Sequence, residues 1–151
     1  MGSGLWLLTK NIINTMIYNI ANSYSPMTGL RHCRISECSG EDFYHKQLNG
    51  LFKEACEKKE VLTIDLDGSL GGYAPSFLDE AFGNLVYDFG LDIVKKWLVV
   101  KSEQGEQWLE MINEGTFPDW EKRRKENKPP TYTEDHPVRY VFDNGEIKQK
   151  K

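Results

Sequence analysis

Absences set the first limits on this chain. It has only three cysteines, Cys33, Cys38 and Cys56, an odd number with no CxxC pair. That usage argues against a disulfide scaffold or a zinc knuckle and fits a reducing cytosol, so a cytoplasmic location is expected. Long apolar runs are missing too. In "MGSGLWLLTKNIINTMIYNI", Lys10, Asn11 and Asn14 interrupt the apolar residues before a membrane-spanning length is reached, and no small-residue cleavage site follows. Neither a membrane segment nor a signal peptide is expected. No basic face stands out: 19 basic and 23 acidic residues give a net charge of -4, and the one dense basic run, "EKRRKENK" at 121–128, is interleaved with acids. Nucleic acid is therefore not an expected partner.

Catalytic signatures are equally sparse. Gly71-Gly72 beside a helix start is a place where nucleotides can bind, but the P-loop lysine and the full GxGxxG spacing are lacking. Asp67, Asp79 and Glu80 have no histidine near them in sequence, because His32, His45 and His136 are scattered. No spacing demands an enzyme, and no cofactor is read. His32, Cys33, Cys38 and His45 make an imaginable metal set. Four residues separate the two cysteines, however, and Cys56 falls on an apolar helix face, so no metal is read.

What is present is an alternation of strands and helices in a chain of 151 residues, the size of one domain. "MIYNIA" from Met16 is predicted as a first strand, "SYSPMTG" as a turn and "LRHCRI" at 30–35 as a second strand pairing with the first. Ser39 caps a helix carrying Phe43, Leu48, Leu51, Phe52, Ala55 and Cys56 at helical spacing. "VLTIDLDG" alternates Leu62, Ile64 and Leu66 against Thr63 and Asp65, as a strand covered on one side does.

A second helix starts at Pro75 and Ser76, with Ser76 read as its cap. Phe77, Leu78, Ala81, Phe82, Leu85, Val86 and Phe89 form its apolar stripe, and Gly90 stops it. "LDIVKK" reads as at least one helical turn, "WLVVK" as an inner strand and 103–115 as a shorter helix capped by Ser102 and ended by Gly115. Pro129-Pro130 breaks the polar stretch that follows. "VRYVFDNGEIKQKK" is a hairpin around Asn144-Gly145, expected to dock on the domain edge or on another chain through Val138, Tyr140 and Phe142.

Three stretches carry a resemblance. "SGEDF" at 39–43, "IDLDG" at 64–68 and "GYAPSFLDEAFGNLV" at 72–86 occur in order, after an opening "MIYNIANSYSPMTGLR" that ends in Gly29 and Arg31. Together they resemble the small bacterial STAS-like family, with its SGE-[ED]-F and GY-x-x-SFL-[DE]-EAFG motifs. The similarity runs from about Met16 to about Gly115. It organises the chain as an extension or added leader at 1–15 with Met16 as an internal start, a STAS-like domain at 16–115, and a charged tail with the hairpin at 116–151. The fold it implies is α/β, a mixed central sheet with helices mainly on one face.

The resemblance also implies a non-enzymatic regulatory module of the anti-sigma-factor-antagonist type, acting with a histidine-kinase-like ATPase as protein partner. Self-association is left open. In such domains a serine at a loop-helix junction is phosphorylated, which points to Ser76 and, more weakly, Ser69. Arg31, Ser39, Asp67, Gly72, Tyr73 and Glu80 are the candidate partner or ligand surface, with Tyr73 read as an exposed contact and Glu80 as lying on an exposed helix face. The alternative is a nucleotide- or small-anion-binding domain, possibly hydrolytic, with Arg31, Ser39, Asp67 and Ser76 around one pocket at the helix N-termini.

Overall fold

The computed structural model describes residues 15–150. The reading of residues 1–15 as a leader lies outside them except for Thr15, which begins the first strand. Strand β1 (Thr15–Asn19) runs into a short helical turn, α1 (Ile20–Ser23), whose start is capped by the Asn19 side chain. Helix α2 (Gly40–Phe43) continues through a π-helical segment, π1 (Tyr44–Leu48), into α3 (Asn49–Lys58). Lys59, left-handed at φ 55°, closes α3 in place of the usual glycine, with Glu60 N donating to Ala55 O.

Strand β2 (Val61–Asp65), helix α4 (Pro75–Phe89), helix α5 (Leu91–Trp97) and strand β3 (Leu98–Lys101) follow. All three strands run parallel in the order β1-β2-β3, registered through Ile17, Thr63 and Val99 among others. Parallel neighbours need crossovers of this length, and the α2–α3 and α4–α5 segments supply them. Leu62, Ile64 and Leu66 are fully buried under the helices, as their alternation required. The opposite face stays open: Ile17 is 70% and Val99 48% exposed. Helix α4 is the keel of the core, burying Phe77, Leu78, Ala81, Phe82, Leu85 and Val86 completely. Each such side chain contributes about 1.5–3 kcal/mol when removed from water.

Three local expectations are corrected. Residues 30–35 form no strand; 29–38 is a loop closed by Gly29 N donating to Cys38 O and by Leu30 N donating to Ser36 Oγ. Strand β3 is an edge strand among the described strands, pairing only with β2. Gly115 does not end the third long helix. Helix α6 (Glu106–Glu110) passes through a second π-helical segment, π2 (Met111–Thr116), into α7 (Phe117–Lys125). Ile112, Phe117 and Trp120 keep an apolar face on the core, and that packing outweighs the glycine.

Strands β4 (Arg139–Asp143) and β5 (Glu146–Lys150) form the expected antiparallel hairpin, turning through Asn144 and Gly145, both at positive φ. It docks on its own chain. Asn49 donates to Tyr140 O and accepts from Tyr140 N, while Arg139 pairs with Asp88 at 3.2 Å. No helix among the described residues is long and apolar enough to cross a membrane.

Candidate functional site

The SGEDF stretch and the GYAPSFLDEAFG stretch meet through glycine. A side-chain carbon on Gly40 would lie 2.5 Å from Phe77 O and 2.9 Å from Glu80 Cβ, so only glycine lets α2 cross α4 at this distance. Ser39 caps α2 as predicted, accepting from Asp42 N at 3.0 Å, and donates to Cys33 Sγ at 3.4 Å. The 29–38 loop is stitched to the same helix start, with Gly40 N donating to Leu30 O and Glu41 N to Arg31 O.

That stitching delivers Arg31 to α4. Its guanidinium donates to Asp79 Oδ2 at 2.8 Å and to Glu80 Oε1 at 3.2 Å. The other Asp79 oxygen accepts from Thr116 Oγ1 and from the Trp120 indole. Glu80 is buried, at 2% exposure, and Asn84 donates to its other oxygen at 2.8 Å. Burial pushes the Glu80 carboxyl above its ordinary range, against the opposing pull of Asn84 and Arg31. The expectation of an exposed Glu80 is thus corrected: the residue faces inward, because Gly40 brings α2 down onto it.

Tyr73 is corrected in the same way. It is buried, donates from its hydroxyl to Leu66 O at 2.9 Å and packs edge-on against Trp108. Gly72, at φ 75°, turns the chain beneath that same indole. Ser76 is not the cap of α4. Ala74 holds that place, Pro75 opens the helix and Ser76 is its second residue. Ser69 donates to Gly72 O at 3.0 Å. Asp67, two residues past β2, caps the loop after β3, accepting from Ser102 Oγ and from the backbone N–H groups of Glu103 and Gln104. Those donors hold its carboxyl below the ordinary range.

The site residues therefore fall into two groups. Arg31, Ser39 and Glu80 come together around the α2–α4 crossing. Asp67, Gly72, Tyr73 and Ser69 belong to the loop ahead of α4; the Ser69 and Tyr73 hydroxyls are spent within that stretch, and the Asp67 carboxylate on the loop after β3. Arg31 is neutralised by two carboxylates rather than presented to an anion.

A third centre, built on Glu41 of the SGEDF stretch, did not enter the sequence-based site. Glu41 is fully buried and its carboxylate faces six donor groups: His32 Nδ1, Cys33 N, Thr133 N and Oγ1, Glu134 N and His136 Nε2. Burial alone raises its pKa, but hydrogen bonds led by those from His136 and Thr133 hold it at about 2. The His136 ring stacks on His45, centroids 3.8 Å apart and planes 6° from parallel, with Tyr132 edge-on to both. Burial, reinforced by the neighbouring His136 and Arg139, pushes His45 down to about 3, and neither of its ring nitrogens has a partner among the described residues. Cys33, Glu41 and His136 are the residues here able to share a metal ion, each offering one ligand atom within 4.8 Å of the others. A charged residue two positions inside a helix cap was the signal available for Glu41. His136 lies 95 residues away and gave none.

Comparison with known proteins comes down to one match. Residues 39–108 match the family described as a STAS-like domain of unknown function. No curated protein and no solved structure matches the chain.

Proposed function

We propose that the STAS-like domain carried by residues 39–108 is a non-enzymatic regulatory module that docks on a protein partner of the histidine-kinase-like ATPase type. The observation that carries this reading is a pair of exposed apolar side chains at one end of the sheet. Met27 is 67% and Leu70 74% exposed, on loops joined by Leu70 N donating to Pro26 O at 2.9 Å. Large apolar groups held in water by a backbone bond between two loops suit a protein contact better than they suit stability. Docking through Met27 and Leu70 replaces the Tyr73-centred surface, since Tyr73 is committed to the core.

Ser76 is the phosphorylation position this reading favours. It sits in the first turn of α4, where free backbone N–H groups and the helix dipole favour added negative charge. Ser69 is the lesser choice, because its hydroxyl is engaged. The anion-pocket alternative is disfavoured by the pairing of Arg31 with Asp79 and Glu80, which sets its charge against carboxylates of α4 itself.

Quantitative affinity purification of the full chain from its native host tests the proposal. An ATPase of this type should co-purify with the wild type, be lost from Leu70→Glu, and change in amount with Ser76→Asp. An identical partner set for all three proteins refutes docking at this surface.

A further inference from the structure

We propose that Cys33, Glu41 and His136, with water in the fourth position, bind one divalent transition-metal ion of the zinc class. The ligands come from three separate segments: the 29–38 loop, the start of α2 and the strap ahead of the C-terminal hairpin. The Cys33, Glu41 and His136 ligand atoms lie within 4.8 Å of one another, and His32 Nδ1 is 3.2 Å from Glu41 Oε1. A thiolate, an imidazole and one carboxylate make a donor set suited to zinc or cobalt, whereas calcium and magnesium take oxygen ligands.

The surroundings are those of a supported metal site. Ser39 Oγ lies 3.4 Å from Cys33 Sγ, placed to donate to the thiolate, and the His45 ring fixes the plane of His136 by stacking on it. A cleft of about 340 Å³ opens onto Cys33 from solvent. Its wall carries Glu37, Asp42 and Glu134 against a single cation, Lys46, so the approach is acidic and attracts a positive ion.

The hydrogen-bonded state and the metal-bound state differ by few rearrangements. The Thr133, Cys33 and Glu134 backbone donors keep their places on Glu41, and the ion replaces the direct His136–Glu41 contact. As the metal–sulfur bond forms, the Cys33 thiol releases its proton to water. The proton that His136 Nε2 gives toward Glu41 is exchanged through water onto Nδ1, which frees the Nε2 lone pair for the metal. Ion binding thereby fastens the strap at 133–136 to the SGEDF stretch. The inference is independent of the docking surface at Met27 and Leu70.

Cobalt alone, added to the chelator-stripped full chain, is the test. One equivalent should give a thiolate-to-cobalt charge-transfer absorption together with the strong visible bands of four-coordinate cobalt, and zinc should abolish both. Cys33→Ser should lose the charge-transfer absorption while Cys38→Ser keeps it, and His136→Gln should weaken binding by roughly tenfold or more. No charge-transfer absorption at saturating cobalt, or an unchanged one in Cys33→Ser, overturns the proposal. Should the variants not fold, zinc must still protect Cys33 of the wild type from alkylation in a peptide map, and equal labelling with and without zinc overturns it.

Discussion

Replacing Gly83 by alanine tests how tightly α7 is keyed into α4. A side-chain carbon at Gly83 would lie 2.1 Å from Trp120 Cε2 and 2.2 Å from its indole nitrogen, and Trp120 is a buried, rigid ring. The indole has to shift, which endangers its hydrogen bond to Asp79 at 3.2 Å. Overpacking costs about 1–3 kcal/mol and the lost bond about 1, while alanine regains about 1 through helix propensity. The net expectation is a loss of about 1–3 kcal/mol, or several degrees in Tm for a chain of this size. Gly50→Ala is the internal control, because Gly50 is an exposed residue of α3 with no heavy atom within 4 Å of the added carbon, and the change should stabilise by up to about 1 kcal/mol. Urea melts of the two variants should move in opposite directions. Gly83→Ala combined with Trp120→Leu should cost less than the sum of the singles, since the second change removes the obstacle. A Gly83→Ala melt coincident with the Gly50→Ala melt would refute the keyed contact.

Three further outcomes are expected. His45→Phe keeps the stack on His136 while removing two unpartnered nitrogens. It should therefore be no less stable at neutral pH and should lose less stability as pH falls from about 6.5 toward 3, the window in which the neutral His45, facing His136, Arg139, Tyr132, Glu41 and Asp42, must otherwise take up a proton; an unchanged slope in pH-dependent urea melts contradicts the assignment. Tyr73→Phe leaves Leu66 O without its donor and should cost about 1–2 kcal/mol in the same assay while leaving any partner capture untouched, whereas lost capture with full stability would restore Tyr73 as a contact. Burial pushes the Cys56 thiol up to about 12, so alkylation at pH 8 should be slower than in the urea-unfolded chain by at least about a hundredfold, and equal rates would mean that the thiol is not buried as described.

The elements that could be read from sequence are those governed by local chemistry. The Ser39 cap, the α4 stripe, Gly90 at its end, the alternation of β2 and the Asn144-Gly145 turn each depend on residues a few positions apart, and each is present. Misreadings arose where packing between distant segments decides. "LRHCRI" alternates well enough for a strand, yet its backbone bonds go to Glu41 and Gly40 and its arginine to α4. Gly115 resembles a helix stop, but Phe117 and Trp120 beyond it bury more than a glycine costs. Ser76 was taken for a cap because serine suits that place, although Pro75 at the first helical position already sets Ala74 as the cap. The α2–α4 crossing was half legible. Its motif residues stood out, but their burial depends on Gly40 meeting Phe77 and Glu80 across 37 and more positions of chain. The Glu41 centre was illegible because its strongest partners, Thr133 and His136, lie beyond the proline break and outside the 39–108 segment.

Arg31→Met separates a structural role for the arginine from a ligand-binding one. Among the described residues Arg31 is the one cation paired with Glu80, whose side chain is 3% exposed, while Asn84 supplies a neutral donor. Removing one partner of a buried pair costs about 3–5 kcal/mol, and because Arg31 is about one third exposed, the discounted expectation is about 2 kcal/mol at neutral pH. The pH dependence follows from the direction of the shift. Burial raises the folded-state pKa of Glu80, so the penalty for holding it ionised is fully present above that pKa and vanishes once pH falls below the ordinary value near 4.5. Without Arg31 the penalty grows, so the variant should lose most relative to wild type at pH 7 and converge on it as pH approaches 4. Glu80→Gln added to Arg31→Met removes the charge, keeps an amide beside Asn84 and should recover most of the loss at pH 7. If the Arg31→Met deficit is the same at both pH values and Glu80→Gln recovers none of it, the ion pair is not what holds the 29–38 loop against α4, and the hydrogen bonds of Leu30 and Arg31 carbonyls with Gly40 and Glu41 carry that joint alone.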